Sequence, residues 1–142
     1  MPTLPQQFGR LRTFAIAFHA APGEIGIVYD QRVRQRILSA RFTLSTDANV
    51  ADRFLTWFIS SSGCNSPIAI SGIAQTAGTV RTYNFAFGYP TTPFLIGSEL
   101  HCAMPFHMIV EGIAFFTTNT TGIQAADQFS GLSLSVEEWI EP

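Results

Sequence analysis

Two-residue alternation runs through this chain and leaves little room for any fold but stacked β-sheet. Phe14, Ile16 and Phe18 face one way with Thr13, Ala15 and Ala17 on the other. Tyr83, Phe85 and Phe87 alternate with Thr82, Asn84 and Ala86, and Leu132, Leu134 and Val136 alternate with Ser133, Ser135 and Glu137. Successive side chains of a strand point to opposite faces, so these segments read as half-buried strands. Turn signals separate them: Pro22-Gly23, Thr46-Asp47-Ala48-Asn49, Ser60 to Pro67, Ala77-Gly78, Gly88 to Pro93 and Asn119 to Gly122. No window of about twelve residues carries a 3.6-residue period, which restricts helix to short turns in the 46–53 or 124–128 regions. Roughly seven to nine strands at this spacing, with no helical crossovers, predict an all-β fold: a single antiparallel β-sandwich, jelly-roll-like.

A length of 142 residues suits one domain. The reading is an N-terminal arm over residues 1–8 and a single β-sandwich domain over residues 9–142, with Glu141-Pro142 free to fray. No apolar run reaches the ~18 residues needed to cross a bilayer, and even Phe14 to Ala21 is interrupted by His19. Arg10 to Ala21 imitates a signal peptide, but the opening Pro-Thr-Leu-Pro-Gln-Gln-Phe is a poor basic lead-in to one. Cys64 and Cys102 fit reduced, buried thiols, and their spacing neither requires nor forbids one bridge.

Charge is sparse and sorted along the length. There is no lysine; through Arg41 six arginines stand against two acids, a surplus of four, whereas from Thr82 onward six acids face no arginine. Charged residues make up 13% and aromatics another 13%, so much of the surface is uncharged polar or apolar. Such a surface suits a protein packed against other protein. A net charge of −2 argues against nucleic-acid and anionic-membrane partners, which rely on surplus Lys and Arg.

Arg32, Arg34 and Arg36 share one strand face, and Leu38, Ala40, Phe42 and Leu44 continue on that same face. A flat strand cannot serve solvent and core from one side, so a bulge near Arg36-Ile37 is expected. The arginines either keep an exposed strand end soluble or bind carboxylates, since guanidinium forks take carboxylates bidentately. The acid-rich end Glu137-Glu138-Trp139 is the candidate partner, across a subunit boundary or within the chain. Arg32, Arg34, Arg36, Glu137, Glu138 and Trp139 are therefore the candidate interface residues.

Catalytic signals are thin. A Gly-x-Ser-x-Gly elbow is missing from the sequence, and without lysine there is neither a Schiff base nor a phosphate-loop lysine. His19, His101 and His107 have no metal-ligand spacing, and His101-Cys102, being adjacent in a strand, point to opposite faces. Asp127 beside a turn reads as a loop cap. The expectation is a protein with no catalytic residues, no metal and no cofactor. Phe54 to Ile59 is apolar on both faces and predicts a central strand covered by two layers. A carbohydrate-binding reading is open to a sandwich with several Tyr and Trp residues, although the alternation places no two aromatics on one exposed face.

The run Arg36-Ile-Leu-Ser-Ala-Arg-Phe-Thr-Leu-Ser-Thr-Asp-Ala-Asn-Val-Ala-Asp-Arg53, then Ala74-Gln-Thr-Ala-Gly78 and Tyr83-Asn-Phe-Ala-Phe-Gly88, resembles small structural proteins of tailed-bacteriophage virions. The closing Gly122-Ile-Gln-Ala-Ala-Asp-Gln-Phe-Ser130 and Leu-Ser-Leu-Ser-Val-Glu-Glu-Trp139 resemble the end of the same proteins, departing from them at Ala126, where glycine is expected. The resemblance lies in pattern and order, covers Pro22 to Trp139 and includes no single diagnostic motif. It implies a jelly-roll-like capsid decoration, or cement, protein, made in the host cytoplasm and bound to the major capsid protein on the outer surface of the virion. It further implies a homotrimer at local three-fold positions. A tail-vertex adaptor or fibre component is the neighbouring possibility. The 13 phenylalanines, more than one small core hides, independently suggest self-association.

Overall fold

The computed structural model describes residues 9–15, 24–61, 64–104 and 108–139. Nine strands make up the fold: β1 (Arg10–Ala15), β2 (Gly26–Ser45), β3 (Phe54–Ser61), β4 (Cys64–Ile70), β5 (Val80–Ala86), β6 (Phe94–Ile96), β7 (Glu99–Ala103), β8 (Met108–Thr121) and β9 (Gln128–Trp139). There is no helix among the described residues. The 46–53 and 124–128 regions, where short helical turns were expected, are irregular loops. The arm assigned to residues 1–8 lies outside the described residues.

The architecture follows from the length of β2. Its first half, Gly26 to Ile37, ladders with β8, and its second half, Ser39 to Ser45, ladders with β5 on that flank. One strand thereby belongs to two layers. The first runs β4-β3-β8-β2, and the second continues from β2 through β5, β7 and β6, with β9 and then β1 on the other flank of β2. The layers close face to face. Trp57 of β3 meets Phe42 of β2 edge-on, with ring centroids 6.4 Å apart, and lies 5.6 Å from Phe85 of β5. The result is an all-β sandwich of the jelly-roll-like kind. Its ladders are antiparallel except for β5 and β7, which run parallel.

Phe42 is the centre of the core. It stacks on Tyr83 at 5.9 Å, lies 5.6 Å from Phe85 and receives Phe129 edge-on at 5.8 Å. Each such pair contributes about 0.5–1.5 kcal/mol beyond the area it buries. Tyr83 is buried outright, so its hydroxyl needs a partner, and it donates to Gln75 Oε1 at 2.9 Å. Burial also pushes the Tyr83 phenol up to about 12.

The bulge expected in β2 is present one residue beyond the predicted place. On the β9 side Ile37 faces Val136 and Ser39 faces Ser135, so Leu38 is the extra residue. The buried positions accordingly change phase, from Gln35 and Ile37 before the bulge to Ala40, Phe42 and Leu44 after it. This slip lets the arginine face look outward while the apolar residues beyond it look inward. On the β8 side a second irregularity sets the three residues of β2 between Gln31 and Gln35 against the one residue of β8 between Val110 and Gly112.

Three sequence expectations need correction. Ser60 to Pro67 is not one long turn: β3 runs to Ser61, β4 starts at Cys64, and Pro67 sits inside β4 opposite Phe58. Proline is tolerated there because β4 is an edge strand with a register shift beside it. Phe54 is 42% exposed, so β3 is buried on its Leu55/Trp57 face and not covered on both. Phe87 lies past the end of β5 and is exposed, because the chain turns at Gly88 (φ 92°).

Candidate functional site

Strands β2 and β9 bring the arginine stripe and the acidic end together within one chain. Arg34 faces Trp139, Gln35 faces Glu138 and Arg36 faces Glu137 in the ladder. Alternation then sorts these residues into two layers. On the outer face the Arg36 Nε lies 3.6 Å from Glu137 Oε2, and its guanidinium sits 5.0 Å over the Trp139 ring. Glu137 also accepts the Gly9 amide at 2.8 Å. Arg34 is exposed on this face. Arg32 belongs to β2, but its side chain lies outside the described residues.

On the inner face Glu138 is buried. It accepts from Gln35 Nε2 at 2.8 Å and from Arg12 Nη1 at 3.1 Å, with 6% of its side chain exposed against 48% for Arg12. The alternative in which the acid tail meets its own arginines is thus realised for Arg36 and Glu137, and Arg12 joins the site unforeseen. Arg12 was counted only in the basic surplus of the N-terminal segment. The signal that could have found it is the alternation of β1 continued to its start, which puts Arg10, Arg12 and Phe14 on one face.

A second charged cluster was not foreseen at all. Arg53, at the entry to β3, is completely buried with Asp127. Its Nε donates to Asp127 Oδ2 at 2.9 Å, and Nη2 donates to Asp127 Oδ1 at 3.0 Å and Asp47 Oδ1 at 2.8 Å. Its Nη1 donates to the carbonyls of Asn49 at 3.0 Å and Ala51 at 2.6 Å. All five guanidinium N–H groups are therefore used. Asp127 also accepts the amides of Asp47 and Gln124, each at 2.8 Å, so it caps loops as expected while forming an ion pair beneath them. The hydrogen bonds that Arg53 donates to Asp127 raise the Arg53 pKa. For Asp127 burial pushes upward, but hydrogen bonds from Arg53 and the two amides outweigh it and hold the carboxyl below its ordinary value. Gly122, at the neighbouring turn (φ 75°), leaves no room for a Cβ against the Asp52 carbonyl. At the apex of the loop so locked, Val50 is 99% exposed.

The outer face of β2, β5, β7 and β6 carries a third group. Arg41, Asn84, His101 and Phe94 follow one another across the ladders. Arg41 Nη2 donates to Glu99 Oε1 at 2.8 Å, and Asn84 Nδ2 donates to Glu99 Oε2 at 3.4 Å. The His101 ring stacks on Phe94 at 4.9 Å and meets Tyr89 edge-on at 5.3 Å. Tyr89 and Phe94 thus share an outer face, which the alternation alone did not indicate, because the turn at Gly88 brings Tyr89 back over β7. Cys102 points inward, opposite to His101; it is a free buried thiol that donates to the Ser71 carbonyl at 3.7 Å, and burial pushes it up to about 12. His19 and His107 lie outside the described residues, and among the described residues no three His, Cys, Asp or Glu gather as metal ligands.

No family model matches this chain, and no curated protein matches it. Among solved structures it is similar to a chain of the IBDV viral particle, with TM-score 0.45 and 14% identity over 93% of this chain and 32% of that one. A chain of infectious bursal disease virus Gx strain gives TM-score 0.43 and 14% identity over 92% of this chain and 34% of that one. PfGH50B gives TM-score 0.44 and 13% identity over 94% of this chain and 22% of its own. The chain spans at most about a third of the length of each of these.

Proposed function

We propose that this chain is a non-enzymatic structural protein of a tailed-phage virion, a decoration or cement protein that binds the major capsid protein on the outer shell and stabilises it. The observation that carries the reading is the surface. Leu11, Val50, Phe54, Ile70, Val80, Phe87, Leu95 and Ile96 are all exposed, by 42% to 99%, on a chain with no lysine and only 13% charged residues. Apolar side chains spread over loops and strand edges suit contact with other protein over several faces. The sequence pattern from Pro22 to Trp139 supports the same placement. Many copies acting together let modest contacts per subunit stabilise a shell, and a homotrimer is the assembly that fits this role. The test is to locate the chain in a reconstruction of particles carrying it. Density on the outer shell against the major capsid protein is expected; density at the tail vertex would make it an adaptor or fibre component.

A carbohydrate-binding reading gains support from the face where Tyr89 and Phe94 flank His101 beside Arg41, Asn84 and Glu99. Aromatic faces with planar polar groups beside them suit sugar rings. A glycan array with Tyr89→Ala as control separates the two readings, since cementing predicts no Tyr89-dependent signal.

A further inference from the structure

Strand β1 pairs along one flank among the described strands. Among the described strands it ladders with β9 alone, and β2 holds the other flank of β9. Its covalent route to β2 runs through residues 16–25, which at ~3.3 Å per residue reach as far as ~30 Å when extended. On its outer face Leu11 is 72% exposed, and Arg12 is half in solvent. Beyond the ladder, it is tied to the last strand by side-chain contacts. Gly9 N donates to Glu137 Oε1 at 2.8 Å, Arg12 Nη1 to Glu138 Oε2 at 3.1 Å, and the Thr13 and Ser135 hydroxyls lie 3.1 Å apart.

The edge that receives β1 is built without it. Leu132, Leu134 and Val136 anchor β9 in the core, the ladder to β2 extends from Arg34 to Ser45, and Gln35 holds Glu138 from the β2 side. If β1 left, β9 would present a row of bare backbone donors and acceptors, and the buried Glu138 would lose a cation. Such an edge takes up a strand. The complement it selects is specific. A Cβ at position 9 would meet the Glu138 carbonyl oxygen at 2.7 Å, so glycine is required there, followed by arginine toward Glu138 and a hydroxyl toward Ser135.

We infer that β1 is a transferable strand whose partner is a second copy of this chain: β1 of one copy completes the β9 edge of another in the same antiparallel register. The contacts formed are identical within and between copies, so exchange costs no interaction, and the reach of residues 16–25 together with local concentration selects the outcome. The inference does not depend on a place in a virion, and either can fail alone.

Cysteine pairs in register test it. In a background with Cys64 and Cys102 replaced by alanine, Thr13→Cys is placed on one tagged copy and Ser135→Cys on a differently tagged copy, and the two are co-expressed and oxidised. A disulfide-linked product carrying both tags, beyond that formed by either single variant alone, is the expected result. Ala15→Cys with Ser133→Cys repeats the test at the next outward pair of the same register, in case the first pair disturbs folding. Both residues of each pair on one chain serve as the reference. Crosslinks confined within that chain and no mixed-tag product would overturn the inference, as would failure of the pairs to crosslink in any combination.

Discussion

Arg53 and Arg36 are the same residue type in the same sheet system, yet the fold uses them in opposite ways. Arg53 is fully buried, with five donors on five acceptors and two carboxylates at hand. Arg36 keeps 30% of its side chain exposed, lies 3.6 Å from one carboxylate and rests on an indole. Removing one partner of a buried pair strands a charge without water, whereas an exposed pair competes with solvent and salt. Buried charge here organises loops. Half-exposed charge seams two strands.

The largest effect should come from Arg53→Met, which leaves Asp127 buried and unpaired. A loss of about 3–5 kcal/mol is expected, read by urea denaturation. A loss under about 1 kcal/mol would mean that the loop opens and hydrates its carboxylates, and the contrast with Arg36 would collapse. Gly122→Ala tests the same region through its backbone. A positive φ and a carbonyl in the way of the new Cβ should cost about 1–3 kcal/mol in the same assay.

The pH dependence sharpens the comparison further. The Asp127 carboxyl is held below its ordinary value of 3.8, so its contribution is complete above that range and is lost as pH falls through the folded-state value. Wild type should therefore weaken as pH falls below the ordinary carboxylate range through the lower folded-state value, and Asp127→Asn, already less stable at neutral pH, should show a shallower slope there. Equal slopes would remove Asp127 from the account.

Smaller effects belong to the seam. Glu138→Gln should cost about 1–2 kcal/mol, since a buried acceptor loses its charge-assisted bond from Arg12 but keeps a neutral one. Replacing Arg32, Arg34 and Arg36 together by Gln should change stability least, by about 0.5 kcal/mol or less each. If that stripe also meets carboxylates of a neighbouring subunit, occupancy on particles should fall in the triple variant, and added salt should weaken wild type more than the variant. Full decoration by the variant at every ionic strength would leave the stripe an intramolecular seam only.

Much of the sheet was legible because alternation is a local property. Tyr83 and Phe85, like Leu132, Leu134 and Val136, are buried where the pattern placed them, and the conflict between Arg36 and Phe42 on one nominal face announced a bulge that the ladder realises at Leu38. Half of the candidate site was legible for the same reason, since sorted charge named the arginines and the acids that could pair. Which of them meet was not legible. Arg36 and Glu137 are about a hundred residues apart, and only the placement of β9 beside β2 joins them. Arg53 was missed because an arginine between a turn and an apolar strand looks the same in sequence whether it is solvated or buried; Asp127, 74 residues away, decides it.

The sequence by itself determined the strand content, the polarity of each face and the break of phase in β2, since these depend on side chains two residues apart. Tertiary structure alone decided that β2 serves two layers, that Glu138 turns inward to Gln35 and Arg12, that Arg53 is buried and that Tyr89 returns over His101. Those outcomes depend on which distant segments share a ladder, and pairing across such separations is set by the closing of the whole core around Phe42 and Trp57, a global free energy that no local pattern contains.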